Sequence, residues 1–210
     1  MSSANSDTPT RILESTLALL EAPGGKLPTM SDIAKAAGVS RQAVYLHYPS
    51  RTDVLIAATR YQDQMLDMDT ALAPSRTAAN GRERLDAFVT AWCNHVPKIH
   101  GVARAIMALT STDAEAKAAW DIRMTDLREG CAAAVAALAR DGTLPDSMDQ
   151  AKATDLLWAL LSIRNWENLT QTCGWEQSRY AMTIRAMAVA TLTQDTGPLT
   201  DALACPEPPA

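Results

Sequence analysis

Residues 29–48 have the spacing of two short helices that cross steeply through a very short turn. Such a crossing needs a small residue where the two backbones approach and a glycine in the turn, and Ala34 and Gly38 occupy these positions. Apolar residues that can point inward flank them, namely Ile33, Ala37, Val39 and Val44. The pattern therefore predicts a helix-turn-helix rather than an arbitrary pair of helices.

The second helix of such a pair lies in the major groove of DNA, with its first turn against base edges. Its first turn here is Ser40, Arg41, Gln42 and Ala43. An arginine can contact guanine through two hydrogen bonds, a glutamine can contact adenine, and an alanine methyl group can meet a thymine methyl group. Each residue alone is typical of a solvated helix surface, but within the Ala34/Gly38 frame they are predicted to read bases.

A second group of polar residues is predicted to contact phosphates, which positions the protein on DNA without reading sequence. These residues are Thr29 and Ser31 at the start of the first helix, and Tyr45, His47 and Arg51 on or after the second.

The segment from Thr29 to Leu55, which reads TMSDIAKAAGVSRQAVYLHYPSRTDVL, resembles the DNA-binding domain of the TetR family of repressors. The resemblance covers about residues 10–60, because the preceding amphipathic helix and the following capped helix match as well. The family usually has Phe where Tyr48 stands and Lys where Arg51 stands, and both changes keep the character of the position. The resemblance implies a DNA-binding transcriptional repressor.

The rest of the chain also has helical periodicity between short proline and glycine breaks, which predicts an all-α fold of about nine helices. Their predicted bounds are about 10–22, 29–38, 40–48, 50–72, 80–97, 98–109, 112–141, 147–172 and 175–195. The predicted domains are a disordered N-terminus (1–9), a helix-turn-helix DNA-binding domain (10–55), a helical effector-binding and dimerisation domain (56–195) and a flexible C-terminal tail (196–210).

The charge is unevenly distributed along the chain. The net charge is -5. Residues 1–60 carry six Lys or Arg against five acids, whereas the remaining 150 carry 13 against 19. We call residues 1–60 the head and the remaining 150 residues the body. A nearly neutral head followed by an acidic body is typical of a protein that contacts DNA through a few side chains, and not of a protein that binds any polyanion.

The cysteine spacing indicates a protein of a reducing compartment, and the short apolar runs indicate that it does not span a membrane. Cys93, Cys131, Cys173 and Cys205 are far apart and form no C-x-x-C pair, so neither a metal site nor a disulfide framework is predicted. Residues 1–9 are polar, and no apolar run is long enough for a membrane span. We expect a cytoplasmic protein without a membrane association and without a cofactor.

The resemblance implies that the last two helices form a four-helix bundle with a second copy. The apolar stripe Leu156, Leu160 and Ile163 shifts to Trp166 and Leu169, so one face can meet the subunit core and a neighbouring face the partner. A homodimer with heads roughly 34–36 Å apart would read a palindromic operator in double-stranded DNA.

The resemblance also implies a cavity for a small-molecule effector, whose filling moves the fourth helix and releases the DNA. The aromatic, Met and polar residues of the middle helices are its candidate lining, although Trp and Met at helical spacing belong to an ordinary core more often than to a cavity. The candidates are Phe88, Trp92, His95, Met107, Trp120, Met124, Trp158, Asn165 and Trp166, with His100 as a further polar anchor.

Three alternatives compete with the repressor. The chain lacks an H-E-x-x-H, a G-x-S-x-G, a phosphate loop and a His/Asp/Ser group on one predicted face, so we do not expect an enzyme. A purely architectural DNA-binding protein would be basic throughout, unlike this acidic body. An activator or dual regulator on the same scaffold stays open.

Overall fold

The computed structural model describes residues 7–22 and 27–194, and within these ranges the chain forms helices and no strand. The all-α class is therefore confirmed. The elements are α1 (Thr8–Glu21), α2 (Met30–Ala37), α3 (Arg41–His47), α4 (Arg51–Leu66), α5 (Met68–Arg76), α6 (Gly81–Met107), α7 (Ala114–Arg140), α8 (Gln150–Leu160), α9 (Ile163–Trp166) with a π-helical continuation (Glu167–Thr172), and α10 (Gln177–Leu192).

The chain divides into two units. The first comprises Met1–Met68 and Lys98–Arg123, and the second comprises Asp69–Pro97 and Met124–Ala210. The predicted domain boundary between residues 55 and 56 falls inside α4, because that helix continues to Leu66. The first unit is therefore larger than the predicted DNA-binding domain, since it also contains residues 98–123.

The N-terminal helix begins earlier than predicted. The Asp7 carboxylate accepts a hydrogen bond from the backbone N–H of Thr10 at 3.1 Å, and Pro9 lies in the first turn, where it needs no helical donor. Residues 8 and 9 thus belong to α1 rather than to a disordered end. The predicted break at 23–25, the rest of the predicted N-terminal segment (1–6) and the predicted tail (196–210) lie outside the described residues.

Two predicted helices are each split in the structure. The predicted helix 50–72 is interrupted at Asp67, which has a left-handed backbone with φ of 41° and separates α4 from α5. The predicted helix 147–172 is interrupted at 161–162, where the Ser162 hydroxyl accepts from the Asn165 N–H at 3.2 Å and caps α9. The apolar stripe that includes Ile163 therefore does not run along one continuous helix.

Pro97, which was predicted to end a helix, instead lies inside α6. A proline in a helix interior leaves the carbonyl four residues earlier without its donor. That carbonyl belongs to Cys93, and the Gln177 side chain of α10 donates to it from Nε2 at 2.7 Å. The Oε1 atom of the same Gln177 side chain accepts a hydrogen bond from Trp166 Nε1 at 2.8 Å. The tertiary hydrogen bond replaces the lost helical one, so the helix continues.

Replacing Gln177 with Met is expected to lower the free energy of unfolding by roughly 1–3 kcal/mol for each group left unpaired, because the Cys93 carbonyl and the Trp166 indole both lose their partner. In a Pro97→Ala background the same replacement should cost less, since the new N–H of residue 97 can satisfy the Cys93 carbonyl. Denaturant titrations of the four proteins measure this coupling. Equal costs in both backgrounds would show that Gln177 does not compensate for Pro97.

Two groups of buried side chains form the core of the first unit. One holds the helix-turn-helix together: Ile12, Met30, Ile33, Ala34, Ala37, Val44 and Val54. The other joins α1 and α4 to the parts of α6 and α7 that belong to this unit: Leu20, Leu55, Val102, Ala105, Ile106, Leu109 and Ala116. The first group positions α3, and the second fixes α1 and α4 behind it.

No helix within residues 7–22 and 27–194 combines the length and the apolar character that a membrane crossing needs.

Candidate nucleic-acid interface

Two local features, a capping box and a left-handed glycine, fix the start and the end of α2 in the predicted helix-turn-helix. A capping box starts α2, in which the Thr29 hydroxyl accepts from the Asp32 N–H at 3.2 Å and the Asp32 carboxylate accepts from the Thr29 N–H at 2.9 Å. Gly38 ends the helix in the left-handed conformation, with φ of 64°. The Val39 N–H then donates to the Ala34 carbonyl at 3.0 Å, which closes the turn.

Helix α3 is held by one fully buried side chain and one cap. Val44 is 0% exposed in the core of the head, and the Ser40 hydroxyl accepts from the Ala43 N–H at 3.1 Å. Arg41 and Gln42 are exposed and Ala43 is half-buried. The first turn of α3 therefore presents its predicted readers to solvent on a helix whose opposite side is fixed in the core.

Arg41 and Tyr45, one helical turn apart, contact each other. Arg41 Nη2 donates to Tyr45 Oη at 3.2 Å, and the guanidinium carbon lies 5.4 Å from the centre of the tyrosine ring. Both side chains are exposed, so the contact holds them together along one edge of α3. The Arg41 guanidinium therefore already has a side-chain partner on its own helix.

The predicted phosphate contacts differ in their surroundings. Ser31 and His47 are exposed. The Thr29 hydroxyl donates to the Asp32 carboxylate at 2.7 Å, and this hydrogen bond lowers the pKa of Asp32, so that a negative charge stays at the start of α2. This pairing argues against a phosphate contact by the Thr29 hydroxyl.

Arg51 is half-buried at the start of α4, close to Asp113. Hydrogen bonds from Thr52 and from the Ala116 N–H, followed by one from the Glu115 N–H and the charge of Arg51, hold the pKa of Asp113 below its usual range. The Asp113 carboxylate thus caps α7 and ties its first turn to α4 within the first unit.

The sequence interpretation missed one exposed residue of α3. Leu46 is 82% exposed. It lies one turn after Gln42 and two residues after the buried Val44, so a helical register anchored on Val44 would have placed it on the outward face.

The candidate effector residues fall into both units. Met107 and Trp120 belong to the first, where Trp120 packs against the core of Leu20, Leu55 and Val102. The others belong to the second unit: Phe88, Trp92, His95, Met124, Trp158, Asn165 and Trp166, of which Phe88, Trp92, His95 and Trp166 are buried.

Several of these candidates have structural partners within the second unit. The Asn165 side chain donates to the carbonyls of Ala159 and Leu160, at 2.8 and 3.1 Å, and so closes the end of α8. The Phe88 ring lies so close to Gly130 that a β-carbon there would be 2.6 Å from it. Asn165 and Phe88 thus have packing or capping roles, as Trp166 does through Gln177.

Five buried polar atoms of the second unit have no hydrogen-bond partner among the described residues. They are all able to donate: Thr90 Oγ1, Trp92 Nε1, Trp158 Nε1, Tyr180 Oη and Thr183 Oγ1. Buried polar groups are nearly always satisfied, and an unpaired one costs about 1–3 kcal/mol. These atoms lie on three helices of the second unit, α6, α8 and α10.

A groove of about 400 Å³ runs between α8 and α10 of the second unit. Its lining is apolar apart from Asn165 and Thr191: Leu156, Leu157, Ala159, Leu160, Asn165, Met187, Ala188, Thr191 and Leu192. Of the candidate effector residues it contains Asn165. The groove thus coincides with the helices predicted to meet a second copy rather than with the aromatic candidates.

The described cysteines, Cys93, Cys131 and Cys173, are free thiols. Burial raises the pKa of Cys93 and of Cys131 to about 12, so both stay protonated and are poor nucleophiles at neutral pH. In the described part of the chain, no group of three or more His, Cys, Asp or Glu side chains could hold a metal ion.

The N-terminal domain of the bacterial regulatory proteins of the tetR family matches residues 12–58. A search of curated protein sequences finds no match.

Solved structures share the fold over most of the chain. A protein from Saccharomonospora viridis assigned as a transcriptional regulator, in complex with choline, has a TM-score of 0.77 at 20% identity over 91% of this chain and 100% of its own. The transcriptional regulator FadR from Bacillus subtilis, in complex with stearoyl-CoA, has a TM-score of 0.67 at 14% identity over 87% and 98%. A protein from Rhodococcus sp. assigned to the TetR family has a TM-score of 0.64 at 16% identity over 89% and 98%.

The matched segment contains the capped α2, the left-handed Gly38 and the exposed α3, and the chain around it has the helical fold of these regulators. Residues 12–58 therefore match the DNA-binding domain of the tetR family of bacterial regulatory proteins, and the chain as a whole shares its helical fold with the solved transcriptional regulators.

Proposed function

We propose that the chain is a homodimeric repressor that binds a palindromic operator and leaves it when a small-molecule effector binds in the second unit. The observation that carries the DNA-binding half is the geometry of α3, a short helix fixed by buried Val44 whose polar first turn faces solvent. We assign base reading to Ser40, Arg41, Gln42 and Ala43, and phosphate contacts to Ser31, Tyr45, His47 and Arg51.

The dimer half is supported by apolar surface on the last helices. Leu156 and Met187 line the groove between α8 and α10 and are 47% and 37% exposed. Leu157, next to Leu156, is buried in the second unit, so the two leucines point to different sides of α8. We infer that the exposed side of α8 and α10 packs against its copy in a four-helix bundle.

The proposed effector binding is supported by the five buried donors of the second unit that lack a hydrogen-bond partner in the described part of the chain. A bound molecule with hydrogen-bond acceptors would satisfy buried groups such as Tyr180 Oη and Trp92 Nε1. Choline and stearoyl-CoA occupy structures of the same fold, so the fold accommodates chemically different ligands. We propose a largely apolar effector that carries acceptor oxygens or nitrogens and binds the DNA-free state better than the bound one.

Salt titrations of operator binding separate base reading from phosphate contact. The probe is a duplex enriched from a randomised library by the full chain. Gln42→Ala should cost roughly 1–3 kcal/mol in each half-site and relax the preference at one base pair, with an unchanged salt slope. Arg51→Ala should weaken binding to all duplexes alike and lower the salt slope by about one for each half-site. If both variants bind like the wild type, α3 and the start of α4 are not the DNA interface.

Tyr180→Phe is expected to raise the free energy of unfolding of the ligand-free protein by about 1 kcal/mol, because it removes a fully buried hydroxyl that has no hydrogen-bond partner within residues 7–22 and 27–194. Tyr61→Phe is the matched control, since the Tyr61 hydroxyl donates to Glu14 at 3.1 Å and its removal should be neutral or destabilising. Denaturant titration measures both. A loss of stability in Tyr180→Phe would mean that the hydroxyl is satisfied in the free protein and is not reserved for an effector.

A further inference from the structure

Among the large apolar side chains that are exposed in the described ranges, Leu46 has the greatest exposure, at 82%. A single exposed leucine is ordinary on a protein surface, so exposure alone does not indicate a function for Leu46. Its position in the fold does. Leu46 lies on α3, the helix that the DNA-binding function places in the major groove.

The register of α3 places Leu46 at the centre of the outward face. An α-helix turns by about 100° per residue, so positions two residues away from Val44 on either side lie roughly opposite it. These positions hold Gln42 and Leu46, which are four residues apart and therefore neighbours on one face. Because Val44 is 0% exposed in the core of the head, Gln42 and Leu46 point directly away from the domain.

The other predicted readers lie toward the edges of this face. Arg41 is drawn to Tyr45 by a hydrogen bond of 3.2 Å and by stacking on its ring. Ala43 is half-buried beside Val44, so its methyl group lies at the edge of the outward face rather than at its centre. The centre of the face thus presents one amide and one isobutyl group.

Resting on the proposed DNA-binding function, we propose that Leu46 recognises the C5-methyl group of thymine beside the base that Gln42 contacts. The thymine methyl group is the apolar feature of the major groove. Arg41 and Arg51, on the same helix and just after it, favour a polyanionic occupant over an apolar protein surface. Specificity for thymine then comes from Leu46, which is a reader in addition to Arg41 and Gln42.

The test compares two versions of one duplex, enriched from a randomised library by the full wild-type chain. One version carries thymine and the other carries deoxyuridine at every thymine position, which removes the methyl groups and keeps the base pairing. One buried methylene supplies a factor of about four, so the wild type should bind the deoxyuridine duplex about fifteenfold more weakly over two half-sites. Leu46→Ala should lose most of this penalty, because it has lost the side chain proposed to contact the methyl group at the centre of the face.

Met65→Ala is the matched control, because Met65 is an exposed apolar residue of α4 outside α3, and it should keep the full deoxyuridine penalty. Leu46→Met keeps an apolar side chain of similar size and should keep most of the penalty. A wild type without a penalty, or a Leu46→Ala variant that retains it, overturns the assignment of Leu46. A chain that enriches no sequence contradicts the DNA-binding function itself, and the assignment with it.

Discussion

Replacing Leu156 with Glu is expected to convert the protein to a monomer and to weaken its binding to the enriched palindromic duplex roughly 10²- to 10⁴-fold. Leu156 is 47% exposed and lines the α8–α10 groove, so a carboxylate there can be hydrated in a monomer but not inside a four-helix bundle. The loss in DNA affinity follows because a second head that is no longer tethered must bind its half-site from solution.

Sedimentation equilibrium gives the oligomeric state, and a fluorescence-anisotropy titration with the duplex gives the affinity. Ile122→Glu is the matched control, because Ile122 is 62% exposed on α7 and does not line the groove. It should stay dimeric and keep its affinity. A dimeric Leu156→Glu variant with wild-type affinity would place the dimer interface elsewhere.

Gly101→Ala is expected to lower the free energy of unfolding by roughly 1–3 kcal/mol, the usual cost of inserting an atom into a packed interior. Replacing Gly by Ala within a helix normally stabilises it by about 1 kcal/mol, so the expected sign is inverted. The reason is that a β-carbon at Gly101 would lie 2.8 Å from the carbonyl oxygen of Leu20 and 3.0 Å from its carbonyl carbon. These are backbone atoms of α1, which cannot move aside as the end of a side chain can.

The control for Gly101→Ala is Ala118→Gly, at an exposed position of α7 in the same unit. There alanine should be preferred by the ordinary helix propensity of about 1 kcal/mol. Thermal and denaturant unfolding of both variants measure the change in the free energy of unfolding, and we expect both variants to be less stable than the wild type. If Gly101→Ala is more stable than the wild type, α6 does not pack against α1 at the distance described.

The helix-turn-helix could be predicted from the sequence because the features that define it are local. The capping box of Thr29 and Asp32, and the left-handed Gly38, are each specified within a few residues of α2. The continuation of α6 through Pro97 could not be predicted in this way. It depends on Gln177, which is 80 positions away in the sequence and donates to the carbonyl that the proline leaves unpaired.

The interruption at Asp67 has only a weak local signal, because aspartate adopts a left-handed backbone more often than most residues but much less often than glycine. The prediction that Leu156, Leu160 and Ile163 form one stripe on a continuous helix was wrong because the helix is interrupted between Leu160 and Ile163. Ser162 caps a new helix there, so Leu156 is exposed on α8 while Ile163 is buried on α9.

The candidate DNA interface could be predicted in part. Arg41 and Gln42 were chosen by residue type and are exposed on α3, whereas Leu46, which is also exposed, was not chosen because a leucine on a helix is normally assigned to the core. The effector candidates were chosen as large aromatic and Met side chains, but residue type does not show which polar atoms stay unpaired. Of the five buried donors of the second unit that have no partner among residues 7–22 and 27–194, Trp92 and Trp158 were candidates, and Thr90, Tyr180 and Thr183 were not.

In vitro selection from randomised duplexes by the full-length protein, read out by sequencing, tests the central claim most directly. A dimer that places two copies of α3 in the major groove should enrich two inverted copies of one short motif. Their centres should be separated by about 10–10.5 base pairs or a multiple of that helical turn. A library without an enriched motif, or with a single unrepeated motif, would contradict a dimeric regulator that reads a palindrome.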